Sequence, residues 1–226
     1  TEAHIILEPQ ARNTAPAIAL AVKYCKEVLG ASKDEVIFVS PADHVIRPIE
    51  DFTRSVRQGI EAAHEKKVVT FGIRPSGPET GYGYIQAGEA DGSGYLVKSF
   101  REKPDRATAE SYIEAGNYYW NSGMFAFTIE CFFEELEKHG PEIYSLAQAP
   151  YSDVLKDFAS MPSISIDYAV AEKSTRVMTI PLASYWNDIG SWDAIYDVLP
   201  KDSSGNAIKG DCMTIDCRNS LMMGQS

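Results

Sequence analysis

The chain has 226 residues, 44% of them hydrophobic and 23% charged, enough to close one sizeable core and ordinary for a soluble globular protein. A formal charge of −11 excludes nucleic acid and an anionic membrane as partners, since both need a basic face. It leaves a nucleotide site open, where a few local cations and Mg²⁺ suffice. Cys25, Cys131, Cys212 and Cys217 form neither a CxxC pair nor a zinc-spaced cluster. This cysteine usage makes the expected location cytoplasmic, and no apolar run approaches membrane-spanning length.

In chain order, residues 4–7 read as a strand and 14–29 as a helix, with Asn13 or Thr14 as its N-cap and Pro16 tolerated in the first turn. Residues 36–40 are a short β-branched run that predicts a buried strand. Apolar residues at helical spacing predict a helix over 51–65, and 68–73 is the next strand. This alternation indicates parallel βαβ units, hence an α/β fold with a mostly parallel mixed sheet flanked by helices. The pattern then changes: 82–87 and 95–100 flank a turn-rich stretch and predict a hairpin. A helix over 106–115 ends at Gly116, a strand over 123–128 leads into a helix over 129–138, and short helices are expected at 142–149 and 153–159. A strand at 177–181 and a helix at 191–199 follow. Residues 201–206 read as a polar linker, and alternation from Ala207 suggests the start of a β-rich segment. The expected division is therefore 1–200 and 201–226.

Several stretches carry chemistry. Glu8, Pro9, Arg12, Asn13 and Thr14 stand directly before an apolar helix and offer acceptors and donors to a purine edge; the alternative is a well-capped helix with surface charges. Asp43 lies beyond the carboxyl end of the strand at 36–40, where open α/β sheets bind ligands. A hard carboxylate there suits Mg²⁺ held by one or two carboxylates and substrate phosphates; the alternative is a cap on the next turn. Gly83 in Thr80-Gly81-Tyr82-Gly83-Tyr84 permits close backbone approach by a ligand, or else a tight turn with core tyrosines. Glu102 can accept from hydroxyls, Lys103 is a mobile point charge suited to a phosphate, and Pro104 stiffens both; the alternative is a solvated surface pair. Asn121 offers a donor and an acceptor, or an Asx turn. Asp188 precedes a helix near Ser191 and reads alone as part of an N-cap cluster. Trp and Tyr residues near 118–120 and 185–192 would serve a homo-oligomer if exposed, and core positions otherwise.

Seven blocks in this order resemble the bacterial mannose-1-phosphate guanylyltransferases: EPQARNTAPAI at 8–18, SPADHVI at 40–46, TFGIRPSGPETGYGYI at 70–85, FREKP at 100–104, NYYWNSGMFAF at 117–127, SIDYAVAEKS at 165–174 and WNDIGSW at 186–192. The resemblance implies a nucleotidyltransferase of the glycosyltransferase-A-like, Rossmann-like type. It further implies GTP and mannose-1-phosphate as substrates, GDP-mannose as product and Mg²⁺ as cofactor. Carried over by position, Glu8, Pro9, Arg12, Asn13 and Thr14 read guanine. Tyr82, Gly83, Glu102 and Asn121 hold the sugar, and Lys103 holds its phosphate. Asp43 and Asp188 hold the metal, so Asp43, Lys103 and Asp188 form the catalytic set. Asp167 and Tyr168 shape the sugar site or a subunit contact. His44 is loop structure or stands behind the metal carboxylates. The family's Gly-rich loop, G-x-G-x-R-x-x-P-L-S-R, is not found in these residues, so the reading expects the family's first βα units to be missing. Two alternatives stand beside it: a sugar-1-phosphate nucleotidyltransferase using dTTP or UTP, and a non-catalytic subunit that senses a sugar nucleotide.

Overall fold

The computed structural model describes residues 3–224, which form two compact units. The first comprises residues up to 40 and 53–183; the second comprises 41–52 and 184 onward. The segment expected to stand apart from residue 201 lies within the second unit. No helix among the described residues is long and apolar enough to cross a membrane.

The first unit is built on a six-stranded sheet of β1 (Val36–Val39), β3 (Val68–Ile73), β4 (Tyr84–Asp91), β5 (Gly94–Arg101), β6 (Tyr118–Thr128) and β7 (Val177–Pro181), in the order β1-β6-β3-β7-β5-β4, with β6 also pairing β4. Helices flank this mixed sheet as expected, but the expected parallel majority is not what forms: β3–β7 is the parallel pair, and the other pairings are antiparallel. The reason is β6. Its eleven residues run antiparallel to β1, β3 and β4 at once, and the β4–β5 hairpin adds a further antiparallel pair.

Alternation along β6 sets the two faces of the sheet. Phe125 and Phe127 point into a core shared with α1 (Thr14–Glu27), α4 (Ile129–His139), α5 (Pro141–Ala147) and α6 (Tyr151–Asp157). The opposite face is covered by α2 (Ile49–His64), whose Gly59 lies so close to Phe71 that a Cβ there would meet its Cζ at 2.6 Å. Helix starts follow local chemistry: Asn13, Asp105 and Thr128 cap α1, α3 (Arg106–Ala115) and α4 by accepting from Thr14 N, Thr108 N and Cys131 N. Gly116 closes α3 at φ 72°, a left-handed conformation that glycine adopts without strain.

Residues 4–7 do not form the expected strand. Ile6 packs against the core while Ile5 and Leu7 are exposed, as alternation requires, but no ladder partner is present among the described residues. Tyr119 and Trp120 are buried, as core aromatics would be. A five-residue π-helical turn, Asp167–Ala171, was not anticipated.

In the second unit, β2 (Val45–Arg47) pairs antiparallel with β8 (Tyr185–Asn187), and Ser191 caps α7 (Trp192–Val198) by accepting from Ala194 N. The C-terminal part contributes the parallel pair β9 (Ala207–Lys209) and β10 (Leu221–Met223); the expected alternating stretch at 212–216 is not a strand. Trp192 and Tyr185 are exposed, whereas Trp186 is buried.

One close approach in the sheet yields a clear expectation. A Cβ on Gly94 would collide with the carbonyl oxygen of Thr179 and come within 2.9 Å of Met178 Cε, at the point where β5 joins β7. Gly94→Ala is expected to lower unfolding stability by about 1–3 kcal/mol. Gly77→Ala, which meets nothing within 4 Å, should stay within about 0.5 kcal/mol of the parent. Urea midpoints of the two variants make the comparison; equal midpoints would contradict the packing described.

Candidate active site

The first unit brings Gly83, Glu102 and Asn121 to one place. A Cβ on Gly83 would strike Glu102 Oε2 and lie 3.3 Å from Asn121 Cβ, so a larger residue there would displace the Glu102 carboxylate. The backbone ties the same residues together: Asn121 N donates to Gly83 O at 2.8 Å, and Lys103 N donates to Tyr82 O at 3.2 Å. Tyr82 is half-buried, its ring edge-on to Trp120.

Asn121 owes its position to a bulge. Thr70 of β3 pairs with Phe125 and Gly72 with Asn121, so β6 spends extra residues between those two pairs. Gly123, at φ 73°, supplies the backbone conformation that the bulge needs. Asn121 Oδ1 accepts from Gly123 N at 3.3 Å, the Asx-type bond that was the alternative to a ligand role. Its side chain is also held from both sides: Thr70 Oγ1 donates to Oδ1 at 2.9 Å, and Nδ2 donates to Asp167 Oδ1 at 2.8 Å.

Carboxylates gather here. Glu102 has a largely buried side chain, with Lys103 Nζ 3.8 Å from its Oε1, and its backbone N–H donates to Glu172 Oε1 at 3.1 Å. Burial pushes the Glu102 carboxyl above its ordinary value, the charge of Asp167 pushes it further, and Lys103 opposes both. Burial likewise raises Asp167, against the hydrogen bonds it accepts. Lys103 is exposed and held at φ 46°, although the residue before a proline strongly prefers extended backbone.

The start of α1 is less free than the sequence suggested. Arg12 is half-buried, and its guanidinium donates to the carbonyl of Ala159 and to Gln10 Oε1. Asn13 sits at φ 68°, ψ −178°, a region nearly exclusive to glycine. Thr14 Oγ1 accepts from Ile166 N at 2.9 Å, and Ala15 N donates to Ile164 O at 3.1 Å. Glu8 and Pro9 are exposed.

The second unit assembles the other two candidates. The β2–β8 register pairs Val45 with Asn187, so the ladder puts Asp43 and Asp188, just beyond it, at one end. His44 lies between their charges: burial lowers its pKa, while Asp43 and Asp188 both oppose that shift. Trp186 Nε1 donates to His44 Nδ1 at 3.1 Å, which leaves the imidazole proton on Nε2, 3.9 Å from Asp43 Oδ1. Asp188 Oδ1 accepts from Gly190 N at 3.2 Å across Ile189, a β-branched residue at φ 53°. Among the described residues no cluster of three or more His, Cys, Asp or Glu side chains could form an all-protein metal cage.

Sequence reasoning missed Thr70 and Glu172. The signal for Thr70 was available: it is the one polar side chain in the otherwise apolar, fully buried β3.

The nucleotidyl transferase family model matches residues 1–205. The xanthan biosynthesis protein XanB of Xanthomonas campestris pv. campestris (strain B100) is 46% identical, over 97% of this chain and 48% of its own. The mannose-1-phosphate guanylyltransferase RfbM of Salmonella typhimurium is 42% identical, over 98% and 48%. The chain thus spans about half the length of these curated relatives. Among solved structures, a protein described as mannose-1-phosphate geranyltransferase from Thermus thermophilus aligns with a TM-score of 0.81 at 37% identity, covering 91% of this chain and 61% of that one.

The raised Glu102 carboxyl has a consequence for stability. A carboxyl that holds its proton more tightly when folded favours the folded state below its unfolded pKa, and that contribution is lost as pH rises through the folded value. Relative to Glu102→Gln, the parent protein is therefore expected to gain stability as pH falls from 7 towards 4.5, the ordinary glutamate value. Urea midpoints across that range would refute the expectation if their difference were independent of pH.

Proposed function

The chain belongs to the nucleotidyl transferase family, and we propose that it serves guanylyl transfer from GTP to mannose-1-phosphate, giving GDP-mannose and pyrophosphate. What carries the reading is the Gly83–Glu102–Asn121 pocket with Lys103 beside it, a polyol site with a cation attached, in a chain 42% identical to a protein named for this reaction.

The chemistry asks little of a general base. The phosphate of the sugar is already ionised at neutral pH and attacks the α-phosphorus of the nucleotide in line. One P–O bond forms, the bond to the bridging oxygen breaks, and the electron pair leaves on pyrophosphate. Catalysis is then mainly positioning and charge neutralisation. Lys103, exposed and fixed at an unusual φ, holds the sugar phosphate. Glu102 accepts hydrogen bonds from sugar hydroxyls, Asn121 donates to a hydroxyl oxygen, and Gly83 admits the ring edge, with Tyr82 alongside. In the nucleotide segment, the exposed Glu8 accepts from the adjacent N–H groups of guanine. Asn13 and Thr14 shape the loop with Pro9, and Arg12 anchors it to Ala159.

Mg²⁺ fits the second unit. Two carboxylates at one ladder end, without a third ligand among the described residues to close a cage, match an ion that keeps waters and takes its remaining ligands from substrate phosphates. Asp43 and Asp188 would hold it. Once bound, it neutralises phosphate charge. Trp186 fixes the His44 ring behind Asp43.

Asp188→Ala, and separately Asp43→Ala, should reduce Mg²⁺-dependent pyrophosphate release by at least about 100-fold, a size common for lost electrostatic stabilisation, while the urea midpoint stays close to the parent's. The assay, on the complete gene product, offers mannose-1-phosphate with GTP, then dTTP or UTP, then glucose-1-phosphate with each. Release with another pair would discard the substrate assignment. Parent-like rates in Asp188→Ala would remove that residue from the site.

A further inference from the structure

The amide of Asn121 is saturated on one side. A side-chain carbonyl has two lone pairs, and those of Oδ1 are taken by Thr70 Oγ1–H at 2.9 Å and Gly123 N–H at 3.3 Å. On the other side, one N–H of Nδ2 goes to Asp167 Oδ1 at 2.8 Å, leaving one for a ligand. Flipping the amide would set its oxygen against the Asp167 carboxylate and its nitrogen against two donors. Three contacts thus make Asn121 a donor only, beside Glu102, an acceptor across the Gly83 gap.

Both members of this pair are held by one element. Glu172 N donates to Asp167 O at 2.9 Å, the i to i+5 bond that defines the π-turn. In an α-helix, residues five apart would point about 140° away from one another; the wider π-turn brings them close to one face. From that face Asp167 grips the Asn121 amide, and Glu172 accepts from the backbone N–H of Glu102. Such turns recur at functional sites.

We infer that Asp167 and Glu172, with Thr70, are positioning residues that lock a donor–acceptor pair, Asn121 and Glu102, and so make the pocket select its sugar 1-phosphate by the configuration of one hydroxyl. That hydroxyl accepts from Asn121 Nδ2 and donates to Glu102. The inference rests on the guanylyltransferase reading for its sugar phosphate, but not for the lock itself. Inverting the hydroxyl leaves the largely buried Glu102 carboxylate and the Asn121 N–H unpaired at once, which is how sites built to hydrogen-bond a hydroxyl achieve strong rejection. With the carboxylate of Asp167 replaced by an amide, Asn121 can turn over and the distinction between donor and acceptor fades.

The test compares mannose-1-phosphate with glucose-1-phosphate, which differ in one hydroxyl configuration, in the parent protein, Asp167→Asn and Thr70→Val. In both variants the parent's preference between the two sugars is expected to fall at least tenfold. The loss should appear in the KM for sugar phosphate, with the KM for GTP within twofold of the parent's. A merely structural role would move both constants or the urea midpoint instead. A second measurement needs neither turnover nor a variant of Asp167. In ¹⁵N-labelled parent protein, the Asn121 side-chain amide, assigned by its loss in Asn121→Ala, should show one proton shifted downfield and protected from exchange. A preference unchanged within twofold in folded variants, or an Asn121 amide that exchanges like a solvent-facing one, overturns the inference. No turnover of mannose-1-phosphate by the complete gene product, with the amide signature intact, would instead defeat the guanylyltransferase reading; the sugar preference is then read from equilibrium binding of the same two phosphates.

Discussion

The larger unit depends on how one strand changes partners. Strand β6 pairs with β1 at its carboxyl end, with β3 along its middle and with β4 at its amino end. Against β3 it bulges between Asn121 and Phe125. A straight strand of this length would carry side chains past β3 at fixed alternation and would leave Asn121 with an ordinary ladder environment. The bulge bends the strand, frees the amide from simple pairing, and sets it where Thr70, Gly123 and Asp167 each contribute one contact. Bulges recur next to sites for this reason: they re-aim a side chain without breaking the sheet that carries it.

Backbone strain adjoins candidate residues in each of the two units. Asn13, Lys103 and Ile189 occupy positive φ, where their side chains gain nothing from the conformation. Each adjoins a residue group singled out on chemical grounds: the helix start at Thr14, the Glu102 carboxylate, and Asp188. Each is also held by named bonds. Asn13 accepts from Thr14 N, Lys103 N donates to Tyr82 O, and Ile189 N donates to Asn187 Oδ1 at 2.7 Å. Such conformations cost about 1–3 kcal/mol apiece, so a chain that keeps three of them beside polar loops is keeping those loops in a set shape.

Much of this was legible in the sequence, and the exceptions have physical causes. Helices α3 and α4 were readable almost to the residue, because Asp105, Gly116 and Thr128 are local signals whose partners lie within four positions. The strand at β3 was equally plain, as a buried apolar run. The direction of the strands was not: periodicity reports which face is buried and says nothing of which neighbour a strand chooses, so the antiparallel course of β6 was invisible. Residues 4–7 alternate as a strand should, and what they lack among the described residues is a ladder partner, which no local pattern supplies. Strands β2 and β8 are three residues each, too short to show a period, yet their register is what puts Asp43 and Asp188 at one ladder end. In the site, Glu102, Lys103 and Asn121 could be proposed from their chemistry. Thr70 shows only as the one polar side chain in the buried β3, and Glu172 shows no signal, because their role is to hold another side chain or a backbone N–H.

The strap between α1 and the π-turn links two parts of the first unit that sequence reading kept apart. Arg12 donates to Ala159 O, Ala15 N to Ile164 O, and Ile166 N to Thr14 Oγ1. The segment proposed to read a base and the segment that fixes Asn121 and Glu102 are therefore stitched side by side. Of the four polar nucleotide candidates, two spend their side chains on this stitching: Arg12 on a carbonyl and Thr14 on an amide. That is a structural use, and it does not compete with a functional one. A loop held at Asn13 in a glycine-like conformation cannot keep that shape unless its flanks are fixed, and the fixed flank is the same stretch of chain that places Asp167. Rigidity at the helix start and rigidity in the pocket come from one set of bonds, so each hydrogen bond across the strap serves both.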